Sequence, residues 1–245
     1  MKKIIIALLL FCASYKGISQ NQITHGKVTY SVSLDRTYNE LYEKIKDDPF
    51  KLNHFKEVAN LARNFQLELN FSDKISSFHI QKGLHIESKN EMLGLVEMLI
   101  SKGTYFTDLD RKIQILQTRQ GNHVYNVKAN IKKVKWHLTR EKKKIGDFIC
   151  YKATYQKKIL DNFFLVTAWY TPSMPLAFGP KEYAGSLPGL IMELDDPVTH
   201  FICTSIELNP KEKITIPFPD EATITEDEYQ QQGSTAYQKL KKNKP

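Results

Sequence analysis

Phe164 to Leu194 reads FLVTAWYTPSMPLAFGPKEYAGSLPGLIMEL, two apolar runs separated by a loop rich in proline and glycine. Phe164 to Tyr170 is apolar, aromatic and β-branched, the composition of a strand covered on both faces. It stops at Thr171-Pro172, because proline has no amide donor and biases the residue before it to extended backbone. Met174-Pro175 and Gly179-Pro180 then stiffen the loop, while Phe178, Tyr183 and Leu187 give it apolar side chains to bury. After Leu187-Pro188-Gly189 the chain re-enters an apolar run at Leu190-Ile191-Met192. The expectation is two strands joined by an ordered crossover of roughly fifteen to twenty residues, longer than an ordinary connection. Such a loop is either a binding element or a corner fixed by proline and glycine, and the sequence leaves both open.

The spacing Ala168-Trp169-Tyr170-Thr171-Pro172, Pro175, Gly179-Pro180, Tyr183, Gly185 and Leu187-Pro188-Gly189-Leu190-Ile191 resembles the GLPGLI family of Bacteroidetes-type envelope proteins. Gly146 to Ala153 and Phe71 to Phe78 extend the resemblance over most of the chain. Ser186 stands where the naming motif has its first glycine, and a left-handed or crowded backbone at that point would disfavour serine. The resemblance implies an exported protein whose biochemical activity is uncharacterised.

Compartment follows from the first residues. Met1-Lys2-Lys3, the apolar run Ile4 to Ala13 and the small-polar Gly17 to Gln20 have the layout of a secretory signal peptide over residues 1–20. Cys12 is no lipoprotein cysteine by this reading, because Phe11 precedes it where a small residue is needed. Removing 1–20 takes away Lys2, Lys3 and Lys16 and no acid, lowering the formal net charge from +8 to +5. That balance suits a solvated surface, with some attraction to anionic headgroups or polysaccharide. Export and the lack of interleaved aromatics in the lysine runs argue against nucleic acid. No later stretch is long and apolar enough for a transmembrane helix, so a periplasmic, outer-membrane-associated or secreted location is expected.

Residues 21–228 are expected to form one β-rich domain, followed by a polar, basic tail over 229–245. The fold class is α+β and mainly β: a curved antiparallel sheet with two or three helices against one face. Phe65 to Phe71 alternates apolar and polar residues and turns at Ser72-Asp73-Lys74 into Ile75 to Ile80. Further strands are expected at Lys27 to Leu34, Thr104 to Thr107, Lys112 to Thr118, His123 to Lys128, Lys135 to Thr139, Phe148 to Lys157 and Thr199 to Leu208. Ile214 to Pro217 reads as a last edge segment. Helices are expected over Thr37 to Lys46, from Pro49 with Asp48 as its cap, and from Asn90 to Gly103. This order of elements resembles the half-barrel of lipoprotein-carrier type folds, at the level of fold only.

Chemistry is sparse. Seven histidines show no zinc spacing, and no nucleophile elbow, P-loop or dinucleotide fingerprint is present, so neither a metal nor a cofactor is expected. Cys150 and Cys203 are open to a disulfide if their strands are neighbours; closing roughly fifty residues would contribute on the order of 4 kcal/mol in the chain-entropy model. Three functions compete. The first is a non-catalytic carrier of an apolar small molecule or lipid. Its candidate binding residues are Trp169, Tyr170, Phe178, Tyr183, Leu187, Met92 and Met98. The second is an accessory protein of an outer-membrane complex, contacting its partner through the crossover. The third, a hydrolase built on Glu193, Asp195 and Asp196, ranks last, because a solvated turn before Pro197 explains those acids more simply.

Overall fold

A computed structural model describes residues 23–81, 91–219 and 222–232. The expected signal peptide, His85, the Asn90 cap and most of the tail lie outside these residues. The amino-terminal half runs β1 (His25–Ser33), α1 (Asp35–Ile45), α2 (Pro49–Ala62), β2 (Gln66–Ser72), β3 (Ile75–Ile80), α3 (Glu91–Ile100), β4 (Thr104–Asp108), β5 (Ile113–Gln120) and β6 (His123–Asn130). The remainder runs β7 (His137–Ile145), β8 (Phe148–Ile159), β9 (Asn162–Thr171), a 3-10 turn at Lys181–Tyr183, β10 (Leu190–Asp195), β11 (His200–Leu208) and β12 (Thr223–Thr225).

All twelve strands join one open sheet in the order β12-β6-β5-β4-β3-β2-β1-β11-β10-β9-β8-β7. The chain is mostly β, as its alternating runs require. The sheet is mixed rather than wholly antiparallel, because β12 lies parallel to β6. Ile214 to Pro217 is irregular, and the edge position falls to Thr223–Thr225 instead. Proline at 217 and at 219 denies that segment the regular donors a ladder needs. At the other edge the strand begins at His137, two residues later than expected, and runs on through Lys142-Lys143-Lys144 to Ile145. A register shift between Leu138 and Lys142 and those lysines blunt this edge against pairing with another chain.

Cross-strand pairs distinguish the two faces of the sheet. Ala153, Ala168, Leu194, Phe201 and Val32 are successive partners across β8, β9, β10, β11 and β1, and all are buried. This is the covered face. One residue out of phase, Lys152, Trp169, Glu193, Ile202 and Ser31 form the corresponding row on the outer face. Val58, Ala59 and Ala62 of α2, with Val96 and Ile100 of α3, join the core that the covered face builds. Asp48 caps α2 as expected, its carboxylate accepting from the Lys51 amide at 3.1 Å.

At the centre, Phe78 meets Tyr30 and Phe201 edge-on, with ring centroids 6.0 and 5.8 Å apart. β10 carries a bulge between Ile191 and Glu193, which disturbs the ladder there. The Tyr30 hydroxyl donates to the Ile191 carbonyl at 2.6 Å inside the core. Tyr30→Phe is therefore expected to cost about 1–2 kcal/mol, since the carbonyl loses its donor where water does not reach. Urea unfolding measures this, and an unchanged midpoint would show that the bulge carbonyl has another partner.

Candidate functional site

The crossover between β9 and β10 packs into the core. Met174, Phe178, Tyr183 and Leu187 are at most 4% exposed, and Phe178 lies against Phe71 with centroids 5.9 Å apart. Its backbone is stitched to the start of β10: the Leu190 amide donates to Met174 at 3.1 Å and the Ile191 amide to Phe178 at 3.0 Å. A Cβ at Gly189 would collide with the Thr171 carbonyl, so close approach explains that glycine. Ser186 is tolerated because the left-handed residue is its neighbour Gly185, at φ 78°. The Ser186 hydroxyl accepts from the Trp136 indole at 3.1 Å and donates to the Tyr183 carbonyl.

Two ion pairs hold the 3-10 turn, one buried and one half-buried. Lys181 Nζ donates to Asp196 Oδ2 at 3.0 Å and to Thr199 Oγ1 at 2.8 Å, over the Phe201 ring. Asp196 Oδ1 accepts from the Val198 and Thr199 amides at 2.9 and 2.8 Å. Burial works against ionising Asp196, but Lys181 and these amides outweigh it and hold the carboxyl below its ordinary value. Lys157 reaches Glu182 at 2.7 Å and the Tyr183 hydroxyl at 3.1 Å. Burial likewise opposes the Glu182 charge, and Lys157 more than offsets it. Burial first, and the nearby Glu182 and Asp196 charges second, push the Tyr183 phenol far up, so it stays neutral.

On the outer face, Trp169 is half-buried beneath Lys143, whose Nζ lies 4.4 Å from the ring centroid and bonds Glu193 at 2.5 Å. His200 Nε2 approaches the other Glu193 oxygen at 3.3 Å. The hydrogen bond to Glu193 raises the His200 pKa, against the opposing effect of burial. Asp195 pairs with Arg36 at 3.1 Å. Beyond Trp169 the same face carries Leu165 and Phe163, both exposed. Lys135, His137, Thr154, Tyr155, Gln156 and Leu165 line a groove of about 330 Å³ beside them.

The candidate binding residues thus separate into three places. Tyr170, Phe178, Tyr183 and Leu187 are core residues. Trp169 belongs to the outer face. Met92 packs partly buried on the core, whereas Met98 points outward at 62% exposure. The acidic trio also divides: Glu193 and Asp195 have partners on the outer side of β10, while Asp196 is buried with Lys181. Cys150 and Cys203 are free thiols on β8 and β11, which β9 and β10 keep apart. Burial pushes the Cys150 thiol up to about 11 and the Cys203 thiol to about 12. Among the described residues no cluster of three or more His, Cys, Asp or Glu is arranged to hold a metal ion.

Sequence reasoning did not find the Lys181–Asp196–Thr199 network. Its available signal was a lysine set directly after Gly179-Pro180 and flanked by the apolar Phe178 and Tyr183 of an ordered loop. Asp196→Ala is expected to destabilise by about 3–5 kcal/mol, because it strands a buried ammonium. The cost should exceed that of Lys181→Met, which leaves the Asp196 turn bonds in place. Urea unfolding of both variants decides this; an equal or smaller loss in Asp196→Ala would refute the arrangement. The stability from the depressed Asp196 and Glu182 carboxyls is present above their unfolded pKa values and is lost as pH falls through the folded ones. His200 has the opposite sign: its contribution is full below its unfolded pKa of 6.5 and fades as pH rises through the raised folded value.

The model of a protein family of unknown function, Porph_ging, matches residues 159–193, from the end of β8 through the crossover into β10. This uncharacterised family is matched over that stretch alone, and under another name than the GLPGLI resemblance. No curated protein matches the chain. Two solved structures of PNGF-II, in space groups C2 and P21, are similar over 85% of this chain, with TM-scores of 0.52 and 0.51 at 13% and 12% identity. The chain spans 32% of PNGF-II, so the likeness is one of fold over part of a longer protein.

Proposed function

We propose that this chain is a non-catalytic binding protein of the cell envelope that meets its partner across the outer face of β7, β8 and β9. The observation that carries this reading is the filling of the covered face. Phe178, Tyr183 and Leu187, the side chains a carrier would turn toward an apolar ligand, are already spent on packing against Phe71, Trp136 and the rest of the core. An open sheet with helices on one face is compatible with a carrier-type half-barrel. A guest at these residues would nevertheless have to expel the crossover, break the buried Lys181–Asp196 pair and disturb the half-buried Lys157–Glu182 pair.

The outer face carries what the covered face hides. Trp169, Leu165 and Phe163 succeed one another along β9, at alternate positions and therefore on one side. Lysines from β7 and β8 border them. Aromatic and aliphatic groups ringed by long cationic side chains are the composition of a recognition surface rather than of a solvated one. The envelope location comes from the leader-like first twenty residues.

A photo-crosslinking residue in place of Leu165 is expected to give adducts with an envelope component in cells, and one in place of Val124, on distant β6, to give none. Native mass spectrometry of protein from its own envelope is expected to show the bare chain. A stoichiometric apolar adduct, together with silence at position 165, would overturn the proposal in favour of a carrier.

A further inference from the structure

The turn between β8 and β9 is built against ordinary folding preferences. Ile159 pairs with Asn162, so Leu160 and Asp161 are the two loop residues of a hairpin. Two-residue hairpin loops favour glycine, asparagine or aspartate, because they demand left-handed backbone. Leu160 adopts φ 52° there and is 86% exposed. A leucine that is both left-handed and solvated adds nothing to stability at this site. Beside it Ile159 and Phe163 are also exposed, Phe163 at 68%. Of the eleven large apolar side chains exposed among the described residues, six lie between Leu138 and Leu165.

Charge is concentrated in the same segment. Residues 132–163 carry ten lysines or arginines and three acids, net +7 of the whole chain's +8. Lys158 stands directly across from Phe163, and Lys132, Lys133, Lys135, Lys142 and Lys144 are exposed on and before β7. Asp161 is the turn's own acid, and these cations outnumber it. An apolar projection backed by cations fits a layered partner whose surface is anionic and whose interior is apolar. A bilayer with acidic headgroups has that profile. An acidic protein would match the charge, but it would have to offer a pocket for a protruding tip.

Resting on the outer-face reading above, we propose that the β8–β9 hairpin seats this protein on an anionic lipid surface, with Leu160 and Phe163 entering the interface and the lysines of β7 and β8 facing the headgroups. In flotation assays the purified protein should bind vesicles containing phosphatidylglycerol and not vesicles of phosphatidylcholine alone, and salt should release it. Leu160→Ser and Phe163→Ser should each weaken that binding by about tenfold, the worth of one apolar side chain taken out of the interface. Both positions are exposed, so urea midpoints should not fall, which separates lost binding from lost folding. No binding to the anionic vesicles, or full binding by both variants, would overturn the proposal. Failure on vesicles with protein adducts still forming at position 165 would remove the lipid and leave the outer-face reading standing. Failure on vesicles with silence at 165 would remove both.

Discussion

The side-chain ammonium of Lys181 is buried, and the path of the crossover follows from what that group demands. A cation taken out of water needs a counter-charge and acceptors for its protons. Both stand where β10 turns into β11, as Asp196 and Thr199. The backbone of Lys181 accepts from Gln114 of β5 at 3.2 Å, so one residue ties the crossover to two distant parts of the sheet. It does so at φ 52°, a conformation that costs a lysine free energy and persists where its surroundings over-determine it. With Lys181 fixed, Glu182 falls beside Lys157 of β8, and Tyr183 enters the core against Trp136. The aromatic filling of the covered face is thus positioned by an ion pair rather than by apolar packing alone.

That filling bears on the remainder of the sheet. Twelve strands in an open sheet leave two edges and one whole face to be reconciled with water. The edges are managed by shortness at β12, and by lysines and an irregular register at β7. Across the outer face, Lys143 and His200 share Glu193, Arg36 holds Asp195, and Lys152 meets Glu141 at 3.0 Å. Partly exposed pairs of this kind contribute little net stability. Their value lies in register: they fix Lys143 over the Trp169 ring and tie β7, β8, β10 and β11 together at the centre of the face.

Elements with a strong period were legible in the sequence. Phe65 to Phe71 alternates so cleanly that its strand, the turn at Asp73 and the partner Ile75–Ile80 follow directly, and Asp48-Pro49 announces the start of α2. The crossover was legible as an ordered insertion, but not as core. Proline and glycine specify a rigid path without saying whether its aromatic side chains face a cavity or fill one. That depends on Asp196 and Gln114, fifteen and sixty-seven residues from Lys181. The lysine run of β7 reads locally as a solvated loop, and only its pairing with Phe148–Tyr151 makes it a strand. β12 has three residues and no amphipathic period, so its parallel position could come only from the tertiary fold.

The distribution of charge argues that the two faces answer to different demands. On the covered side the buried Lys181 has Asp196 and the half-buried Lys157 has Glu182 at bonding distance, because unpaired charge away from water is costly. Around the β8–β9 hairpin no such requirement applies. Exposed lysines can be replaced by neutral or acidic residues at almost no cost in stability, and an exposed leucine in a left-handed turn can be replaced at a gain. Folding therefore does not account for seven exposed cations and six exposed apolar side chains in and just before β7 to β9. Mutual repulsion among the cations opposes the compact state, if only weakly in salt. A surface arranged at some expense to the chain's own stability is explained by what it contacts, and here that contact must be anionic outside and apolar within.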